Sequence, residues 1–262
     1  MARKYGIVVA AAGLAAVVGL TGCGKGGDGD KKSDDKKSDK AAASSPAAPA
    51  GGGLEKLSGK EISDRAKKEL QSATSLRFKV TGTKGGEAMT VDLAMDKQGN
   101  CVGTVGSGSQ GAAEVIKVGD QVWMKADEKL WKAQAGPQAA ELLKGRYIHG
   151  PASDPKLKGM TTACDLAVLQ AKIGSGGDSG KEITKGAPGS VDGQPVVPIS
   201  AEGTTISVAS TGSPYPLKID NSKDGSTVRL TDWNKPVQTK TPPADQTIDV
   251  EKLKKPGASN AL

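Results

Sequence analysis

The chain has 262 residues, with 36 Lys and Arg against 29 Asp and Glu for a formal charge of +7, but only one Phe, three Trp, three Tyr and one histidine. Acidic side chains are interleaved among the basic ones and aromatics are too few to stack bases, so nucleic acid is excluded as a partner. A lone histidine excludes His-rich metal sites, and no metal or other cofactor is expected.

In chain order, the first element is an export signal over residues 1–22. Arg3 and Lys4 precede a 14-residue apolar run at 7–20 that is too short and too rich in Gly and Ala to span a bilayer as a permanent helix. The run closes on Leu20-Thr21-Gly22-Cys23, which resembles the bacterial lipobox. That resemblance implies that Cys23 takes a diacylglyceryl group and becomes the first residue of the mature protein. The mature chain is then extracytoplasmic, anchored by lipid to the outer face of the cell membrane. A buried helix ending in an ordinary cysteine is the competing reading. It fails because 11 of the next 16 residues, 25–40, are charged, leaving nothing for such a helix to pack against. Losing Arg3 and Lys4 takes the formal +7 to +5, a mild excess that favours anionic membrane or wall surfaces.

Residues 23–53 read as a lipidated, disordered linker. Past Cys23 they hold no aromatic and no aliphatic larger than Ala, so burial cannot offset the entropy of ordering. A flexible coil of this length spans roughly 30 Å. A solubilising tail and a tether through wall material predict the same sequence here. Two cysteines remain, Cys101 and Cys164, and in an oxidising compartment they are expected to pair.

The folded domain opens with Ser58-Gly59-Lys60-Glu61, a capping box, followed by Ile62, Ala66, Leu70 and Ala73 at helical spacing, so a helix is expected over 59–73. The period then becomes two. Around Gly85-Gly86, a two-residue loop pairs Val80 with Val91, Phe78 with Leu93 and Leu76 with Met95 on one face, and Lys79 with Asp92 on the other. Gly119-Asp120 joins a strand ending at Val118 to one starting at Gln121. Glu202-Gly203 pairs Ile199 with Ile206 and Val197 with Val208, and Asp224-Gly225 pairs Ile219 with Leu230 and Asp220 with Arg229. In the Gly119-Asp120 hairpin Ile116, Val118 and Trp123 share one face while Val122 and Met124 take the other. Such a ribbon either lies inside a thick core or has core on one side and an apolar ligand on the other. Two short helices are expected at 137–144 and 162–172, with Leu166 and Leu169 on one side of the second. A bridge from Cys101 to Cys164 would pin that second segment against the sheet edge. The fold class is α+β, a single strongly curved antiparallel sheet with helices on one face.

Groups for catalysis are scarce. His149 sits among Tyr147-Ile148-His149-Gly150-Pro151 and reads as a surface-loop histidine, and no Gly-x-Ser-x-Gly elbow occurs. Gly174-Ser175-Gly176-Gly177 follows a helix and lacks the Lys-Ser/Thr of a phosphate loop, so it reads as a flexible connection. No carboxylate falls in an apolar stretch that would raise its pKa. The chain therefore reads as a binding protein and not an enzyme.

Several stretches resemble the actinobacterial lipoproteins of the LppX and LprG type, which share the half-barrel of the LolA and LolB carriers. They are Val118-Gly119-Asp120-Gln121-Val122-Trp123-Met124-Lys125, Val191-Asp192-Gly193-Gln194-Pro195-Val196-Val197, Pro214-Tyr215-Pro216-Leu217-Lys218-Ile219, Thr231-Asp232-Trp233 with Lys235-Pro236-Val237, and Pro242-Pro243-Ala244-Asp245-Gln246. The resemblance implies a half-barrel domain over 54–255, with a C-terminal tail at 256–262. Its concave face, roofed by helices, would hold an apolar cavity for the acyl chains of a lipid or glycolipid. Candidates for the cavity wall are Phe78, Val80, Val91, Leu93, Val122, Met124, Leu166 and Leu169. The reading is a membrane-anchored carrier of lipid or lipoglycan, for which a membrane exporter is a candidate partner. The alternative is an envelope sensor or interaction lipoprotein that uses the half-barrel as a docking surface.

Overall fold

A computed structural model describes residues 53–84, 86–175 and 182–254. The signal and Cys23, the linker as far as residue 52, Gly85 of the first hairpin, Gly176-Gly177 and the tail at 256–262 lie outside the described residues. Helix α1 spans Gly59–Ser72 and its capping box is formed: Glu61 N donates to Ser58 Oγ at 3.3 Å, and Ser58 N donates to Glu61 Oε2 at 2.8 Å. Its buried stripe is Ile62, Ala66 and Leu70, as the spacing predicts.

The strands follow. β1 (Ser75–Lys84), β2 (Glu87–Asp96), β3 (Cys101–Ser107), β4 (Gly111–Val118) and β5 (Gln121–Ala126) form an antiparallel meander. Helix α2 (Glu128–Leu143) and strand β6 (Tyr147–Pro151) come next, then α3 (Lys158–Ala163) and α4 (Leu166–Ser175). The chain returns through β7 (Thr184–Lys185), β8 (Gly189–Val191), β9 (Gln194–Ala201), β10 (Thr204–Ala209), β11 (Pro216–Asn221) and β12 (Ser226–Thr231), and ends in β13 (Thr247–Asp249). The sheet order is β13-β6-β5-β4-β3-β2-β1-β12-β11-β10-β9-β7, with β8 also on β9. Only β13 with β6 is parallel among these pairings. The fold is thus α+β, one large curved and unclosed sheet, mostly antiparallel, with few helices. One face of β1 to β6 packs with side chains of α1, α2 and α4 in a continuous core, and a second cluster joins Ile62 and Ala66 of α1 to Val197, Ile199 and Val208.

Three expected hairpins have the expected register. Phe78 faces Leu93, Val80 faces Val91 and Lys79 faces Asp92; Ile199 faces Ile206 and Val197 faces Val208. Gly119-Asp120 is the turn between β4 and β5, with Ile116 opposite Trp123. Asp92 is bonded most closely by Arg77, whose Nε lies 2.6 Å from Oδ1, with Lys79 Nζ at 3.6 Å. The Arg77 hydrogen bond holds the Asp92 carboxyl below the usual carboxylate range.

Other expectations are corrected. In the fourth hairpin Ile219 faces Val228, and Lys218, not Asp220, faces Arg229. Four residues make that loop because Asn221 Oδ1 accepts from Lys223 N and Asp224 Oδ1 accepts from Ser226 N, both at 2.9 Å, closing two side-chain turns ahead of the strands. The helix expected at 137–144 is the second half of α2, which kinks at Gly136 (φ 87, ψ 171) and begins at an Asp127 N-cap accepting from Leu130 N at 2.8 Å. The helix expected at 162–172 is split at Cys164 and Asp165, because Asp165 Oδ1 accepts from Val168 N at 3.1 Å and so starts a new helix. His149 is not in a loop: it lies on β6, opposite Trp123, stacked on that indole at 4.5 Å, with Nδ1 2.6 Å from Asp249 Oδ1. The Cys101–Cys164 disulfide is formed. Cys101 heads β3, an interior strand, so the bond pins the α3–α4 segment beneath the sheet's middle and not at its edge.

Gly103, opposite Leu93, has φ 151, and a Cβ there would stand 1.9 Å from the Asp92 carbonyl oxygen. Gly103→Ala must push β2 away from β3 in mid-sheet, and we expect it to cost roughly 3 kcal/mol. Chemical denaturation of the variant beside the parent chain checks this; an unchanged midpoint would show that the two strands part freely.

Candidate functional site

Strand alternation puts Phe78 and Val80 of β1 on the same sheet face as Leu93 and Val91 of β2, their cross-strand partners. In β5 the same rule sends Val122 and Met124 to one face and Trp123 to the other, where it meets His149. On α4, Leu166 and Leu169 are three residues apart and share a side. The structure brings all eight candidates into one apolar cluster: Phe78, Leu93, Val122, Met124 and Leu166 are buried, and Val80, Val91 and Leu169 pack half-buried against them.

Sequence reasoning missed much of the roof. The first half of α2 supplies Leu130 and Trp131, and the second half Ala140 and Leu143, to the same cluster. Asp127, an N-cap directly after the β5 alternation ends, was the available signal for that half-helix. Trp131 is 5% exposed, and its indole N–H has no hydrogen-bond partner among the described residues. A buried donor without an acceptor is costly, and a carbonyl brought into the cluster would satisfy it.

Helix α4 is held in two ways. The disulfide fixes Cys164, just ahead of its first turn, and the buried Gln170 amide donates from Nε2 to the carbonyl oxygens of Leu70 at 2.7 Å and Ala73 at 3.0 Å. These are carbonyls of the last turn of α1, which lack helical partners of their own. Beside this latch a cleft opens between α1, Ile173 of α4, Ile199 of β9 and Ile206 of β10. Leu70, Ala66 and Pro216 complete its apolar wall, with Ser63 and Lys67 also bordering it. It holds about 20 Å³, the room of one water molecule. The buried side chains of the cluster occupy the interior between these helices and strands β1 to β6.

Among the described residues no group of three His, Cys, Asp or Glu could hold a metal ion, and no helix is long and apolar enough to cross a membrane.

A solved structure shares this architecture. LprF from Mycobacterium bovis superposes with a TM-score of 0.51 at 16% identity, over 71% of this chain and 97% of that one. The fold matches the family resemblance. The Mycobacterium tuberculosis lipoprotein LppX gives a TM-score of 0.43 at 14% identity, over 70% of this chain and 98% of its own. No protein-family model matches the chain, and no curated protein does. At these identities the likeness to LprF is one of fold.

Proposed function

We propose that the chain is an extracytoplasmic lipoprotein, held to the outer face of the cell membrane by diacylglyceryl Cys23, that carries the acyl chains of a lipid or lipoglycan between its helices and its sheet. The observation that supports this reading most is the continuity of the apolar cluster from strands β1 to β6 into three helices, one of which is secured at mid-length by two hydrogen bonds from a single side chain. The cleft at Ile173 is an apolar opening between the two layers. The unpartnered Trp131 donor favours an acylated ligand, with an ester or amide carbonyl, over plain hydrocarbon. A carrier of this kind hands its cargo to a membrane acceptor or receives it from an exporter.

The test is to purify the full chain from its native membrane, extract it and identify bound lipid by mass spectrometry. About one acylated lipid per chain is expected. Repeated recovery of empty protein that also fails to take up a fluorescent fatty acid would remove the carrier reading and leave the docking alternative.

A further inference from the structure

The sheet carries a third apolar cluster, apart from the two that meet helices. Val197 and Ile199 of β9 and Val208 of β10 pack with α1, so strand alternation turns Val196 and Ala209, one residue along, to the opposite face. There they join Leu217, with Val191 and Tyr215 packed half-buried against them. Over this cluster opens a cleft of about 390 Å³, lined by Val191, Ala209 and Leu217 and by the rings of Tyr215 and Trp233. That volume falls within the roughly 300–1,000 Å³ of pockets that take small ligands.

The two rings are stacked, their centroids 4.4 Å apart and their planes 7° from parallel. Asn234 holds the stack in place: its Nδ2 donates to Tyr215 Oη at 2.8 Å while its Oδ1 accepts from Thr74 N at 2.7 Å. Trp233 stands between two residues in the left-handed region, Asp232 at φ 52 and Asn234 at φ 58. Residues other than glycine adopt that region uncommonly, and two of them bracketing one tryptophan fix the direction in which its side chain leaves the backbone.

The polar rim is neutral. Asp192 is ion-paired with Arg229, and Asp232 with Lys235 Nζ at 2.8 Å, so each carboxylate at the cleft has a cation of its own. Gln194, Thr211 and Ser213 also border it, and none of these three side chains is hydrogen-bonded to another described residue. An amide and two hydroxyls offer donors and acceptors together, which matches the hydroxyls of a sugar. The stacked rings beside them suit the apolar C–H face of a sugar ring. An ion finds no excess charge here. An extended peptide finds no free strand edge, because β9 is already paired by β8 at 194–196.

We infer that this outer cleft binds a neutral saccharide. It lies on the face of the sheet turned away from α1, so it is a second site, separate from the space between helices and sheet. Its ligand is a glycan of the protein's surroundings and not the head of a carried lipid.

The experiment titrates the full chain in calorimetry with triacetylchitotriose, mannotriose and maltotriose, and follows the three indole N–H resonances by NMR. At least one sugar is expected to bind with a Kd of about 1 mM or tighter, shifting the indole of Trp233 and leaving those of Trp123 and Trp131 in place. Gln194→Ala/Ser213→Ala, both exposed positions, should weaken that binding about fivefold through the lost hydrogen bonds, with the melting temperature unchanged. No binding of any of the three sugars, or undiminished affinity in the double variant, would overturn the site. A shift of Trp131 in place of Trp233 would put the sugar in the interior and overturn it as well. So would binding of a Pro-x-x-Pro peptide in place of all three sugars, which would make the cleft a peptide groove. The carrier reading stands or falls separately, on recovered lipid.

Discussion

Replacing Cys101 and Cys164 together with alanine lowers the stability of the folded domain by about 4 kcal/mol. The residues are 63 apart in sequence, and in the chain-entropy account a cross-link closing a loop of that length removes about this much freedom from the unfolded chain. Alanine is the informative substitution because both residues are buried, at 0% and 2% exposure, where a serine hydroxyl would add a desolvation cost of its own. For a domain of this size the melting midpoint should fall by roughly 10 °C. Thermal unfolding of the oxidised chain, the reduced chain and the double variant checks it, with the last two expected to agree. An unchanged midpoint would show that apolar contacts at Leu157 and Leu166 hold the α3–α4 segment without covalent help.

The sheet was legible wherever a two-residue loop fixed the register and apolar residues met apolar ones across the strands, as at Phe78 with Leu93 and Val197 with Val208. It failed at Asp224-Gly225, where side-chain turns at Asn221 and Asp224 lengthened the loop by two residues; both candidate registers keep Ile219 opposite an apolar partner, so patterning could not choose. The helices were less legible because short helices depend on caps. Asp127 and Asp165 set the starts of α2 and α4; Asp127 was assigned to no element, and Asp165 was taken as the interior of one longer helix. His149 was misplaced because Gly150 and Pro151 resemble a turn, yet they finish a strand bordered by β5 and β13. The strand residues of the apolar cluster, Phe78, Val80, Val91, Leu93, Val122 and Met124, could be read from alternation, and Leu166 and Leu169 from helical spacing. The latch at Gln170 could not, because it is a polar side chain whose role depends on a carbonyl 100 residues away in sequence.

Gln170→Leu should speed lipid uptake by roughly tenfold to a hundredfold. Leucine keeps nearly the volume of glutamine but donates no hydrogen bond, so in the closed state the carbonyls of Leu70 and Ala73 lose the partner they now have at 2.7 and 3.0 Å. Leaving buried acceptors unmade costs about 1–3 kcal/mol. That cost falls on the closed state alone, because once α4 lifts, water reaches both carbonyls. The open fraction therefore rises tenfold for every 1.4 kcal/mol or so, and an uptake rate limited by that fraction rises with it. Stopped-flow uptake of a fluorescent fatty acid measures the rate, and thermal unfolding measures the lost stability in the same variant. A merely structural glutamine would lower the melting temperature and leave the rate alone, which would move the point of entry away from α4. Faster uptake with an equally faster release identifies the latch, since a destabilised closed state opens more often whether or not a lipid is inside.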